Sequence, residues 1–304
     1  MMAHAFGGNW TDQKLDAFAR YMKAYATALQ YKPSKDRPFV RLYVDAFAGT
    51  GTRAKRKNID QTPEVSLFGH CDEEADVVNG SAVIALETMP RFSRYIFIEK
   101  HSSRAAELQS LVADFSDRNV EIVSADANEA LVQVAKSTDW RGTRALVFID
   151  PYGMQVSWST LQALAETRAV DIALLFPTGP LNRMLTRDGD IPEAWQQRID
   201  DHLGCKNWRD SFYATRAAPS LFGNLLEDQE KTATVNQLRE FAISRLRQLF
   251  PWVCEEQLPL MNSKRSVLYH LFIICANPSP KAGDVAMRLA KAAIRPSRTR
   301  KAGA

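Results

Sequence analysis

The sequence predicts an α/β protein whose mostly parallel sheet ends in an antiparallel hairpin and carries a helical insertion. Three observations predict it. Apolar runs recur with an acid at or just past their carboxyl ends, giving Val44-Asp45, Ile98-Glu99, Ser124-Ala125-Asp126 and Ile149-Asp150. Helix-forming stretches separate these runs, which is the alternation that builds a parallel sheet. Late in the chain, residues 253 to 261 and 266 to 276 flank the turn Asn262-Ser263-Lys264-Arg265, so they should pair as a hairpin.

The elements follow in order. Thr11 is placed to cap a first helix in which Leu15, Phe18, Met22, Tyr25 and Leu29 recur at helical spacing, and Pro33 ends it. Strand one covers about 39 to 46. The polar stretch 52 to 79 is long for a loop inside a compact domain and reads as a lid over a cofactor or substrate; a helix starts near Ser81. Strands follow at Arg94 to Ile98, Glu121 to Ser124 and Ala145 to Ile149, then a helix from Trp158 to Arg168 and a fifth strand from Val170 to Phe176. Pro177-Thr178-Gly179-Pro180 reads as a turn cluster opening an insertion to about residue 230. There, Trp195, Trp208, Phe212 and Tyr213 interleave with Arg183, Arg187, Arg198, Lys206 and Arg209. Such aromatics stack on single-stranded bases or fill a helical subdomain core, and the core explains the tryptophans better. Leu238, Phe241, Ile243, Leu246 and Leu249 mark the last long helix before the hairpin. The chain thus divides into an N-terminal helical segment (1–36), a core (37–177), a helical insertion (178–230), a helix and hairpin completing the core (231–294) and a basic tail (295–304).

Composition bounds the function classes. With 304 residues, 45% of them hydrophobic, the chain can bury a large core, and no apolar run approaches the length of a membrane span. Met1 to Gly8 lacks a basic region and an apolar stretch, so a cytoplasmic location is expected. Cys71, Cys205, Cys254 and Cys275 show no paired spacing and read as reduced thiols. His70, Cys71, Asp72 and Glu73 resemble a metal cluster in composition, but immediate neighbours point apart and nothing completes a shell, so no metal is expected. The net charge of +4 is modest but unevenly spread. Arg53, Lys55, Arg56 and Lys57 form either a substrate-binding segment that follows a phosphate backbone or a solvated loop, while Arg295, Arg298, Arg300 and Lys301 read as a frayed tail.

Chemistry concentrates where strand one ends, at Asp45-Ala46-Phe47-Ala48-Gly49-Thr50-Gly51. Two glycines let the backbone turn sharply and approach a nucleotide cofactor with no Cβ in the way. Gly49-Thr50-Gly51-Thr52-Arg53-Ala54 also fits a dinucleotide fingerprint. That rival requires an acid closing a second strand about 20 residues on, yet residues 69 to 74 read Gly-His-Cys-Asp-Glu-Glu, without strand periodicity. Open α/β sheets bind ligands outside the carboxyl ends of their strands, so Asp45, Glu99, Asp126 and Asp150 should converge on one crevice. The cofactor that suits them is S-adenosylmethionine. Asp45, with Phe47, Gly49 and Gly51, would meet its ammonium and sulfonium end; Glu99 would accept the ribose hydroxyls; Asp126 would take the adenine amine, with Asn128 capping the next helix. Asp150-Pro151-Tyr152-Gly153 is the catalytic candidate. A carboxylate there can orient an amine whose lone pair is delocalised into a base, proline stiffens the turn, and Tyr152 offers a stacking face.

These residues carry a resemblance. Phe6-Gly7-Gly8-Asn9-Trp10-Thr11 with Lys14-Leu15, the strand and loop Tyr43 to Gly51, Asn79-Gly80-Ser81-Ala82, Phe97-Ile98-Glu99, Phe148 to Gly153, and Tyr269-His270-Leu271-Phe272 to Asn277-Pro278 are similar to those of the three-Cys-motif partner (TcmP) family. The resemblance implies a Rossmann-like class I methyltransferase fold, in which a closing hairpin inserts the last strand into the sheet, and a nearby-encoded partner that bears a cysteine motif. Amino-methyltransferases more often carry Asp-Pro-Pro-Tyr or Asn-Pro-Pro-Tyr at the fourth strand. The Asp-Pro-aromatic-Gly form here is similar to that of tRNA guanine-N2 dimethyltransferases, which implies a nucleic-acid base amine as acceptor. A methyltransferase-like module that binds nucleic acid or regulates its partner without transferring a methyl group is the alternative.

Overall fold

A computed structural model describes residues 9–51, 80–219 and 225–295. Phe6 to Gly8, Asn79, the lid segment with Arg53, Lys55, Arg56 and Lys57, the His70 group and the tail beyond Arg295 lie outside the described residues.

Eight of the described strands form one sheet. β1 (Val40–Asp45), β2 (Arg94–Ile98), β3 (Val120–Val123), β4 (Thr143–Ile149) and β5 (Val170–Phe176) run parallel in the order β3-β2-β1-β4-β5. The order reverses at β1, so a crevice opens between the carboxyl ends of β1 and β4, where ligands of such sheets bind. The final hairpin forms as expected. β10 (Val267–Cys275) lies antiparallel to β5, with β8 (Trp252–Val253) and β9 (Leu258–Met261) along its outer edge. The single strand expected over 253 to 261 is therefore broken. Gln257 turns its amide onto the Cys254 and Glu255 carbonyls in the gap, and Pro259 has no N–H for the ladder.

Strict alternation of side chains sorts the strands into two faces. One face, with Val44, Ile96, Val147, Ile149, Ile172 and Leu174, packs on α4 (Ala127–Ser137), α5 (Trp158–Glu166) and α9 (Val235–Leu249). The other, with Tyr43, Phe97, Leu146, Phe148 and Leu175, packs on α1 (Asn9–Leu29), α2 (Ser81–Glu87), α3 (Ser102–Val112) and α10 (Pro280–Ile294). The result is a three-layer, Rossmann-like α/β architecture. α1 crosses this second face because Phe18 and Met22 are fully buried there, with Phe18 stacked 4.0 Å from Phe148. At its middle, the Tyr21 hydroxyl donates to Asp171 at 2.6 Å, which ties the helix to the start of β5. α10, which no sequence signal singled out, presents Ala290 and Ala293 within the same core; side chains this small let it lie close against α1.

Several local expectations change. Thr11 lies within the first turn of α1, which begins at Asn9, so it does not cap the helix. The expected turn cluster at Pro177 is the start of α6 (Thr178–Met184); Pro180 is tolerated because first-turn amides have no intrahelical acceptor. The insertion is not purely helical. After α7 (Glu193–Leu203) and α8 (Trp208–Phe212) come β6 (Tyr213–Pro219) and β7 (Leu225–Lys231), a separate antiparallel pair whose alternation is hidden by a largely polar sequence. Trp208 and Phe212 are core residues, and the Trp208 indole donates to Asp200 at 2.6 Å. Among the described residues, Cys205, Cys254 and Cys275 are free thiols, and no helix is long and apolar enough to cross a membrane.

Candidate functional site

The loop after β1 turns because Gly49 and Gly51 both take left-handed backbone, at φ 60° and 71°. Without side chains, its amides are free to bond. The Gly49 N–H donates to Glu99 at 3.1 Å, and the other Glu99 oxygen accepts from the His101 N–H at 2.8 Å. Glu99 is thereby locked between the glycine loop and the start of α3, nearly buried at 6% exposure. A carboxylate has about four acceptor positions, so two remain for hydroxyl donors. A Cβ built on Gly49 would meet no described atom within 4 Å, so none of the described residues fills the space beside the loop there. On Gly51 it would come to 3.0 Å from Leu108 and 3.2 Å from Leu111, so that glycine is a packing residue.

Asp45 is fully buried. It points to the α1 face, where it accepts from the Tyr43 hydroxyl at 3.1 Å and the Phe47 N–H at 3.2 Å, with a further bond from Ser81. Burial pushes its carboxyl up to about 6, and the charge of nearby Asp150 adds to the rise against these hydrogen bonds. The carboxylate therefore forms the floor of the crevice and not its rim.

Asp150 stands at the tip of β4 and is engaged by a residue that the sequence reading did not assign to the site: Lys14 Nζ lies 2.6 Å from Asp150 Oδ2. The same ammonium sits 5.1 Å from the centre of the Trp10 ring, one helical turn earlier on α1, and Trp10 stacks on Tyr269 at 6.1 Å. The Tyr269 hydroxyl in turn accepts the Gly153 N–H at 3.3 Å. Pro151 is buried, Gly153 takes φ 67°, and Tyr152 is 56% exposed, the side chain of the turn most open to solvent. Lys14 and Asp150 are 136 positions apart, so no spacing rule links them; Lys14 entered the sequence reading as part of the family resemblance, together with Trp10, four positions earlier on the same helix face.

At the tip of β3, Asp126 is the N-cap of α4 and accepts the Asn128 N–H at 2.9 Å. The expected cap at Asn128 is thus overturned, because the residue two positions earlier already satisfies that amide. Partial burial opposes ionisation of Asp126, but the bonds from the Asn128 amide and Lys100, 3.4 Å away, outweigh it and hold the carboxyl below its usual range. The Asn128 side chain is left to tie two strand ends together. It donates to the Gln155 carbonyl at 2.9 Å and accepts from the Ser157 N–H at 3.0 Å, while Gln155 accepts the Tyr152 N–H at 3.1 Å. His101 is the N-cap of α3, beside Glu99.

The structure therefore sets Asp45, Phe47, Gly49, Gly51, Glu99, Asp126 and the turn Asp150, Pro151, Tyr152 along the carboxyl edge of four adjacent strands. Arg53, Lys55 and Arg56 lie outside the described residues. No family model matches the chain. No curated protein matches it either. Among solved structures, it is similar to a Legionella pneumophila protein of family DUF519, at 12% identity over 97% of this chain and 95% of that one, TM-score 0.45. It is also similar to an O-methyltransferase from Bacillus cereus in complex with SAH, at 14% identity over 89% of this chain and 82% of that one, TM-score 0.38. Trm1 from Pyrococcus horikoshii, solved with S-adenosyl-L-methionine, is similar at 12% identity over 75% of this chain and 58% of that one, TM-score 0.35.

Proposed function

We propose that the chain is an S-adenosylmethionine-dependent methyltransferase acting on an exocyclic amine of a nucleic-acid base. The observation that carries this reading is the charge balance at the strand tips. Asp45, Glu99, Asp126 and Asp150 bring four carboxyl groups to the crevice, while among the described residues Lys14 and Lys100 pair with two of them. An excess of negative charge beside a glycine loop suits a ligand that carries an ammonium and a sulfonium. From β3 to β4 the tips span about 14 Å at ~4.8 Å per strand, room for an extended adenosyl group.

In this reading Glu99 accepts the ribose hydroxyls on its two remaining acceptor positions, Asp126 faces the adenine amine, and the Phe47 to Gly51 loop holds the amino-acid end, with buried Asp45 bracing that loop from beneath and adding its charge. S-adenosylmethionine, when bound, supplies the methyl group. Asp150 orients the acceptor amine through one N–H and is the base in position to take the proton that the amine gives up. Exposed Tyr152 provides the face on which the base stacks, with Arg53, Lys55 and Arg56 on its phosphates. The TcmP resemblance adds a cysteine-motif protein as partner.

The Lys14 to Asp150 ion pair favours a second reading, a module that binds without transferring, because it already compensates the proposed acid. One experiment separates the two. The chain and its genomic partner are incubated with methyl-labelled S-adenosylmethionine and total nucleic acid, and cofactor affinity is measured by calorimetry. Label transfer that Asp150→Ala abolishes while cofactor affinity stays within twofold supports the enzyme, and Glu99→Ala should weaken cofactor binding at least tenfold. Cofactor binding without transfer supports the module. A chain that binds no S-adenosylmethionine overturns both the cofactor and the reaction.

A further inference from the structure

We infer that Lys14 is a positioning residue for the acceptor side of the site, an inference that rests on the methyltransferase reading above. The ammonium is held on two sides. It lies 2.6 Å from Asp150 Oδ2 and 5.1 Å from the centre of the Trp10 ring. Its side chain is 9% exposed against 27% for Asp150, so the lysine is the fixed partner and the carboxylate the one that looks outward. Only Oδ2 is bonded to Lys14, which leaves Oδ1 to receive an N–H of the acceptor.

The contacts around this pair close into a ring. Asp150 is bound by Lys14, Lys14 lies against Trp10, Trp10 stacks on Tyr269, and the Tyr269 hydroxyl receives the Gly153 N–H three residues after Asp150. Both ends of the turn from Asp150 to Gly153 are therefore fixed to elements distant in sequence, α1 and β10. β4 already holds the backbone at Asp150, so what Lys14 fixes is the side chain, which without it would turn about its own bonds and carry the carboxylate away from the acceptor. Displacing a reacting contact by an ångström lowers a rate about 100-fold. Lys14 prevents that displacement while touching neither the methyl donor nor the acceptor amine. Fixed in this way, Asp150 keeps its charge available for the amine, and the ion pair serves transfer instead of silencing it.

The test uses the full chain with its genomic partner, methyl-labelled S-adenosylmethionine and saturating total nucleic acid, comparing wild type with Lys14→Met and Lys14→Arg. Methionine keeps the apolar stem that packs on Trp10 and removes the charge; arginine restores it. The expected result is a fall in kcat of about 100-fold for Lys14→Met, a KM for S-adenosylmethionine within twofold of wild type, and recovery of at least tenfold in Lys14→Arg. Loss of the fold would also lower apparent kcat at unchanged KM, so thermal unfolding of each variant separates the two: a Lys14→Met chain that stays folded at the assay temperature has lost positioning and not structure. An unchanged kcat in Lys14→Met overturns the inference while leaving the methyltransferase reading intact. A raised KM for the donor with normal kcat also overturns it, because Lys14 would then serve the cofactor. A wild-type chain that binds the donor and transfers nothing defeats the parent reading, and this inference with it.

Discussion

Gly49 and Gly51 stand two positions apart in one loop, and alanine at each should fail for a different reason. Both hold left-handed backbone, at φ 60° and 71°, which an alanine adopts at a cost of about 1 to 2 kcal/mol. The stiffer unfolded chain returns roughly 0.4 to 1 kcal/mol of that. Gly49→Ala should therefore lose about 1 kcal/mol, since its methyl would meet no described atom within 4 Å. At Gly51 the methyl would press on Leu108 at 3.0 Å and Leu111 at 3.2 Å, and crowding of this kind adds about 1 to 3 kcal/mol. Leu108 is fully buried and has nowhere to withdraw, so Gly51→Ala should lose roughly 2 to 3 kcal/mol in all. Function should rank the two in the opposite order. The Gly49 methyl enters the space beside Glu99 that no described residue fills, where the proposed reading puts the adenosyl group, and should weaken S-adenosylmethionine at least tenfold, or about 1.4 kcal/mol. Urea unfolding followed by circular dichroism gives the stability order, and calorimetric titration gives the affinity order. Equal destabilisation of the two variants, or a Gly49→Ala chain with wild-type affinity, would refute the assignment of one glycine to packing and the other to the ligand.

Acid stability should reflect two opposed pairs of buried groups. Burial raises Asp45 and Asp171 to about 6, so the stability they contribute is present below their unfolded values near 3.8 and is lost as pH rises through about 6. Burial lowers His202 and His270 to about 4, so their contribution is present above 6.5 and is lost as pH falls through about 4. Between these limits the pairs offset each other. Asp171→Asn removes one side, and stability should then fall more steeply on acidification from pH 6 to 4, by up to ~1.4 kcal/mol per pH unit; urea titrations at several pH values that give the wild-type slope would contradict this. Tyr21→Phe deprives Asp171 of its 2.6 Å donor and should destabilise the chain by about 1 to 3 kcal/mol, with faster amide exchange in α1. A loss below about 0.5 kcal/mol would show that α1 is held by packing alone.

The strands and their acids were legible because their signals are local. Val170 to Phe176 is apolar except for Asp171 and buried on both faces, which is how a central parallel strand reads. Glu99 and Asp126 were found because an acid directly after a strand has few other uses than a cap or a ligand contact, and Asp126 proves to be a cap at the crevice edge. The β6 and β7 pair was missed because it lies off the main sheet and its strands read Tyr-Ala-Thr-Arg-Ala-Ala-Pro and Leu-Leu-Glu-Asp-Gln-Glu-Lys, with no apolar face on the period of two. α10 was missed because its buried stripe is mostly alanine, a residue common on exposed and buried faces alike.

By itself, then, the chain's order of residues determined the sheet, the direction of its strands and which carboxyl groups stand at their tips, since each depends on neighbours within a few positions. Only the tertiary structure decided what those carboxyl groups meet. Asp45 is sealed beneath the loop by Tyr43 and Phe47, and Asp150 is bound by Lys14 from a helix 136 positions away. Charge compensation and burial depend on distance in space, and the packing of α1 across the sheet sets that distance, which no periodicity along the chain records.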